Sequence, residues 1–147
     1  KERKKERKKE RKKERKKEMC VRKDDMNDPL KDIIESDFVI FSSPVYMDDA
    51  SGSFRLMLNR MYPMLEGEPG RYTKRYIDKK CMLIMTQGAP LLMFSGASRN
   101  IKRIIKSFGF DVCGLVRMGF ANERGAAAKN EKVLKKIDAV CSKAIKL

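Results

Sequence analysis

Apolar positions along this chain follow two periods. Phe38-Val39-Ile40-Phe41 and Cys81-Met82-Leu83-Ile84-Met85 are compact, β-prone runs with little alternation, the pattern of strands covered on both faces. The first run is expected to end in a turn at Ser42-Ser43-Pro44, and the second at Thr86-Gln87-Gly88. A third strand is expected within Phe110–Met118, carried by Val112, Leu115 and Val116. Between these runs the period changes to that of a helix. Asn27-Asp28-Pro29 opens a helix, with Asn or Asp as cap and Pro in the first turn, and Leu30, Ile33 and Ile34 form its apolar face. Ser51-Gly52-Ser53 can cap a second helix with core positions Phe54, Leu58, Met61 and Leu65, broken by Gly67, Pro69 and Gly70. Ile101, Ile104, Ile105 and Phe108 give a third stripe ending at Gly109, a natural C′ residue. Val133, Leu134, Ile137, Val140 and Cys141 mark an amphipathic helix near the C-terminus.

The predicted order is α-β-α-β-α-β-α. Strands separated by helices pair in parallel through right-handed crossovers, so the fold class is α/β, a doubly wound parallel sheet. At 147 residues the chain suits one such domain. Three strands make a thin sheet, which implies that further strands belong ahead of the first.

Charge divides the chain at residue 19. Residues 1–18 repeat the unit KERK and hold thirteen Lys/Arg against five Glu, whereas residues 19–147 hold 22 against 15. More than half of the net charge of +15 therefore lies in one low-complexity segment. Its i,i+4 pairs are all of like charge, and without an apolar residue it has nothing to pack with. A basic arm gripping phosphate backbones is one reading of it. The perfect periodicity favours a plain low-complexity extension or a translated purine-rich repeat, so nucleic acid is not the expected partner. Residues 19–147 form the expected domain.

Cysteines occur at 20, 81, 113 and 141, no CxxC spacing exists, and there is no histidine. A zinc site of Cys and His is therefore not expected, and Cys81, Cys113 and Cys141 read as small buried hydrophobes in a reducing compartment. No apolar run has the length of a membrane span, and the N-terminus has no apolar signal-peptide core, so a cytoplasmic protein without membrane attachment is expected.

Ligands of open α/β sheets bind beyond the carboxyl ends of the strands. Two loops in that position combine small residues, a stiffening Pro and hydrogen-bonding groups: residues 42–52, which include Tyr46, and residues 86–90. A planar, hydrogen-bonding ligand suits both. The plain alternatives are a strand-to-helix turn with Ser51 as cap, and an ordinary Gly-Pro turn.

These residues carry a family resemblance. CVRKDDM, then DFVIFSSPVYMDDASGSFRLMLNRMYPML, then KKCMLIMTQGAP, over about residues 19–147, resemble the NADPH-dependent FMN reductase family, and within it the iron–sulfur flavoprotein branch. The resemblance implies a flavodoxin-like sheet of order 2-1-3-4-5 with FMN at its carboxyl edge and NAD(P)H as electron donor. Ser43, Pro44, Val45 and Tyr46 would border the isoalloxazine ring, Ser51 and Gly52 would start the next helix beside it, and Thr86, Gln87, Gly88 and Ala89 would line its other side through backbone amides. No catalytic acid or base is implied, because the cofactor carries the chemistry.

Departures from the family pattern set further expectations. The family's first strand and its Gly/Ser/Arg-rich phosphate loop have no counterpart here, and the KERK repeat stands in their place. FMN binding is thus expected to be weakened, with the first two strands missing and Phe38–Phe41 a bare edge that invites a homo-oligomer. Only Cys20 matches the branch's cysteine cluster, so no iron–sulfur cluster is expected. The leading functional expectation is a flavin-dependent NAD(P)H oxidoreductase or electron carrier. The alternatives are a noncatalytic α/β module or remnant, and nucleic-acid binding through the basic arm.

Overall fold

The computed structural model describes residues 24–67, 70–77 and 79–145. The KERK repeat and Cys20 lie outside them. Helix α1 (Asn27–Glu35) leads into β1 (Phe38–Tyr46), and a two-residue turn sends the chain back through β2 (Asp49–Ala50) into α2 (Gly52–Arg60). A 3-10 turn (Tyr62–Met64) and a small ribbon of β3 (Leu65–Glu66) and β4 (Thr73–Lys74) precede β5 (Lys79–Thr86). Then follow α3 (Ser95–Ser107), β6 (Phe110–Met118) and α4 (Glu131–Ile145).

The expected parallel α/β sheet is present. Its order is β2-β1-β5-β6, with β5 parallel to both β1 and β6. The two-residue β2, antiparallel to the end of β1, was not anticipated. Among the described residues, the outer edge of β1 ahead of Val45 has no partner strand.

Alternation along the strands divides the core into two layers. Phe41 and Val45 of β1, Cys81, Leu83 and Met85 of β5, and Phe110 and Val112 of β6 face helices α1, α2 and α3. Phe41 lies at the centre, with its ring edge-on to Phe110 at 5.2 Å and to Phe54 at 6.3 Å between centroids. Such pairs contribute about 0.5–1.5 kcal/mol beyond the apolar area they bury. On the other face, Met82, Val116 and Met118 pack with Val133, Ile137 and Val140. A bulge makes this second layer possible. Cys81 pairs with Val112 but Met82 pairs with Gly114, so Cys113 is an extra residue that switches the parity of β6 and turns Val116 and Met118 toward α4. Burial, followed by the nearby Cys113 and Asp111, pushes the Cys81 thiol up to about 12.

Several expectations are corrected by tertiary context. β1 is covered on both faces only at its start, where Phe38 packs in the α4 layer, and Ile40 beyond it is left 53% exposed. β1 does not end at Ser42; it runs through Pro44, which an edge strand tolerates. Helix α2 stops at Arg60 because Pro63 cannot continue it, so Leu65 falls in β3 rather than on the helix. Neither Asn27 nor Asp28 caps α1. Met26 holds the cap position, and its N–H donates to Asp24 Oδ1 at 3.2 Å. No helix among the described residues is long and apolar enough to cross a membrane.

Gly109 ends α3 as the sequence predicts, at φ +101°. Its bare Cα also lets Tyr76 approach, since a Cβ there would lie 1.8 Å from the Tyr76 carbonyl oxygen. This contact joins the β4 ribbon to the start of β6. Gly109→Ala is therefore expected to destabilise the domain by about 2–4 kcal/mol, read by thermal and urea unfolding. Unchanged stability would show that the ribbon does not constrain this turn.

Candidate functional site

The register of the two inner strands builds the site. Pro44 pairs with Thr86, so the β1–β2 hairpin that follows the first and the segment 87–90 that follows the second both lie at the carboxyl rim. The structure thus brings together the ten residues singled out from sequence: Ser43, Pro44, Val45 and Tyr46 on β1, Ser51 and Gly52 at the start of α2, and Thr86, Gln87, Gly88 and Ala89 after β5.

Their side chains have unlike surroundings. Ser43 is buried, and its hydroxyl accepts the Ser51 N–H at 3.0 Å and donates to the Pro44 carbonyl at 2.8 Å. Ser51 in turn caps α2, accepting the Phe54 N–H at 3.4 Å. Val45 packs in the larger core layer. Tyr46 alone of the four is exposed, with 64% of its surface open to solvent. Ser43 and Val45 are therefore scaffold, whereas Tyr46 offers a contact surface.

Beyond Tyr46 the chain reverses in two residues, Met47 at φ 47° and Asp48 at φ 61°. Positive φ at both is the hairpin geometry whose twist matches the flanking strands. Tyr46 then pairs with Asp49 across the hairpin. Asp49 is clamped by Arg55 of α2: Nε donates to its two oxygens at 2.8 and 2.9 Å, and a terminal guanidinium nitrogen lies 2.6 Å from Oδ1. The Arg55 hydrogen bonds hold the Asp49 carboxyl below its ordinary value.

The segment after β5 is shaped from behind by the loop that follows β6. The Gln87 N–H donates to Met118 at 2.9 Å, while Gln87 accepts from Ala121 at 2.9 Å and Ala89 from Phe120 at 3.3 Å, all through backbone atoms. Gln87 is 5% exposed, and its side-chain amide bonds back to the carbonyls of Ala89 and Pro90. It fixes the turn rather than reaching outward. A Cβ at Gly88 would lie 2.3 Å from Oδ1 of the exposed Asn122 side chain, which would have to turn aside. The backbone N–H groups of Gly88 and Ala89 donate to no group among the described residues. Two donors thus remain at the carboxyl rim.

Sequence reasoning missed the third loop. Asn122 Nδ2 donates to the Gly88 carbonyl at 3.4 Å, and Phe120, at φ 55°, stands exposed beside Ala89. Met47, Leu92 and Met93 are further exposed apolar side chains on these loops. Position after the third strand was the available signal, for that loop shares the carboxyl rim. Among the described residues no group of three or more His, Cys, Asp or Glu could hold a metal ion.

Because Asp49 has its pKa lowered on folding, its ion pair stabilises the hairpin above the unfolded carboxylate value and is lost as pH falls through the lower folded value. Both partners are partly exposed, so the loss is no more than about 1 kcal/mol. Stability of the wild type should fall more steeply than that of Arg55→Gln as pH drops below about 4, measured by thermal unfolding. Parallel acid profiles for the two would refute the clamp.

An iron–sulfur flavoprotein of Clostridioides difficile (strain 630) is 29% identical over 125 residues, which cover 80% of this chain and 49% of that protein. The chain thus spans about half the length of this curated relative. Among solved structures, an azoreductase from Bacillus anthracis str. Sterne superposes with a TM-score of 0.60 at 15% identity, over 83% of this chain and 62% of its own. An NADH:FMN oxidoreductase in its apo form superposes at 0.54 with 15% identity, over 83% of this chain and 59% of its own. At such identities the likeness establishes the flavodoxin-like fold. The profile of the NADPH-dependent FMN reductase family matches residues 4–100, more than half of the sequence, and the chain therefore belongs to that family.

Proposed function

We propose that this chain binds a flavin at its carboxyl rim and forms part of a flavin-dependent NAD(P)H oxidoreductase. The supporting observation is the pairing of Pro44 with Thr86, beyond which the exposed Tyr46 and the unused amides of Gly88 and Ala89 all lie at one rim of the sheet. A flat tricycle with carbonyl and imine acceptors along one edge is the chemistry that such a ring and two donors suit. Family membership supports the same cofactor. A bound flavin supplies the hydride and electron transfer, with NAD(P)H as donor. The chain's own residues bind and orient it: Tyr46 covers the ring, Gly88 and Ala89 donate to it, and Ser43, Ser51 and Gln87 hold those elements in place.

A single contact of the Tyr46 kind is weak, and residues 19–147 contain no Gly/Ser/Arg-rich run ahead of β1 to hold a phosphate. The ring is accordingly proposed to carry most of the affinity. Titration of the full chain with FMN and with riboflavin, followed by visible absorption and fluorescence quenching, should give saturable binding of both. Their dissociation constants should agree within about tenfold, since phosphate contacts at about 1.5–3 kcal/mol each would separate them by far more. Tyr46→Ala should weaken both by about tenfold, or about 1.4 kcal/mol. Absence of saturable flavin binding would defeat the proposal, and a thousandfold preference for FMN, about 4 kcal/mol, would defeat its ring-dominated form.

Self-association is proposed as well, through the outer edge of β1, where the backbone ahead of Val45 is unpaired among the described residues and Ile40 is exposed. Free thiols at Cys81, Cys113 and Cys141 fit the reducing interior of a cell, and a cytoplasmic location is proposed on that ground. Sizing chromatography with light scattering should give a dimer or larger species that Ile40→Lys shifts toward monomer. A monodisperse wild-type monomer would rule this out.

A further inference from the structure

We propose that Asp48 is a positioning residue: its carboxylate latches the Met47–Asp48 turn onto the first turn of α3 and thereby fixes the direction of Tyr46. This inference rests on the flavin site proposed above and names a residue outside the set that borders the ring.

The turn does not hold itself. A reversal with positive φ at both central residues is made most readily by Asn-Gly or Asp-Gly, and here it is made by Met47 at 47° and Asp48 at 61°. Asp tolerates this region, but Met does not favour it. A backbone held there in spite of its side chains must be determined by its surroundings.

Helix α3 provides the complementary need. Its cap residue, Phe94, makes no side-chain hydrogen bond, so the first amides of a long helix lack a local acceptor. The acceptor comes from 49 residues away: the Ala97 N–H donates to Asp48 Oδ1 at 3.3 Å. Asp48 also packs against Gly96, where even a Cβ would meet its Oδ2 at an ordinary 3.4 Å. The negative charge also sits at the positive end of the helix dipole.

The hairpin is thus held on two sides, by Asp48 on α3 and by Asp49 on Arg55 of α2. Tyr46 immediately precedes this turn and pairs with Asp49. Its ring is mostly exposed and has little packing of its own, so its direction follows from the hairpin backbone. Release of the latch frees the Met47 side of the hairpin and, with it, the ring.

Two variants of the full chain separate a latch from a simple turn requirement. Asp48→Asn keeps an oxygen that can accept from Ala97, whereas Asp48→Gly removes the acceptor while easing the positive φ. FMN affinity and the visible spectrum of the complex are measured for each, with thermal unfolding as the folding check. Amide exchange at Ala97 is measured without flavin. Asp48→Asn should bind FMN within about threefold of wild type, and Asp48→Gly about tenfold more weakly with an altered flavin spectrum, at undiminished thermal stability. Ala97 protection should fall in Asp48→Gly and persist in Asp48→Asn. Wild-type FMN affinity in Asp48→Gly, or Ala97 protection indifferent to it, overturns the positioning role while leaving the flavin site standing. A wild-type chain that does not bind FMN overturns the flavin site and the positioning role together, and the Ala97 exchange then reports on the contact alone.

Discussion

The parallel ladder between β1 and β5 is the constraint on which the rest depends. It runs from Phe38 opposite Lys80 to Pro44 opposite Thr86. Because the strands are parallel, both deliver their following segments to one rim, and because the register ends at Pro44–Thr86, the two segments emerge as neighbours. A slip of one residue would turn Phe41, Ser43 and Val45 out of the larger core layer and Ile40 and Ser42 into it. Phe41, packed edge-on against Phe54 and Phe110, is what makes that slip costly. Core packing around Phe41 therefore sets the geometry of the rim.

The elements and their order were legible in the sequence because each long segment carries one clear period. The β6 boundaries, the stop of α3 at Gly109 and the Ser51 cap all follow from local chemistry. What sequence reasoning missed depends on non-local partners. Pro44 reads as a turn residue, yet it continues a strand because β1 has a partner on one side only among the described residues. The hairpin at Met47–Asp48 lacks the Asn-Gly signature and is held instead by Arg55 and Ala97. The bulge at Cys113 leaves no mark in the residue pattern beyond the adjacency of Leu115 and Val116, which face opposite layers.

The candidate site was legible as a location but not as a division of labour. Motif resemblance treats Ser43, Pro44, Val45 and Tyr46 as one unit bordering a ring. In the fold, Ser43 and Val45 turn inward, the first to organise the α2 cap and the second to fill the core. Gln87 likewise spends its side-chain amide on its own loop, and the groups left for a ligand are backbone N–H donors. A short motif of this kind specifies mainly the backbone path that presents a few contacts. This is why its polar residues are buried and its aromatic one is exposed.

Two surfaces remain incompletely covered among the described residues, and their chemistry differs. The outer edge of β1 offers unpaired backbone donors and acceptors flanked by Ile40, which another strand can satisfy but a flat aromatic ligand cannot. The carboxyl rim offers exposed Tyr46, Met47 and Phe120 and two isolated amides, which a planar heterocycle can use but a strand needing a continuous ladder cannot. The proposed pairing at the edge involves β1 ahead of Val45, whereas the proposed ring contacts begin at Tyr46, so the two use separate stretches of the same strand. They are coupled through β1 itself: a partner strand that stiffens the ladder also stiffens the hairpin at its end. Association along the edge should thus favour ligand binding at the rim without supplying any contact to it.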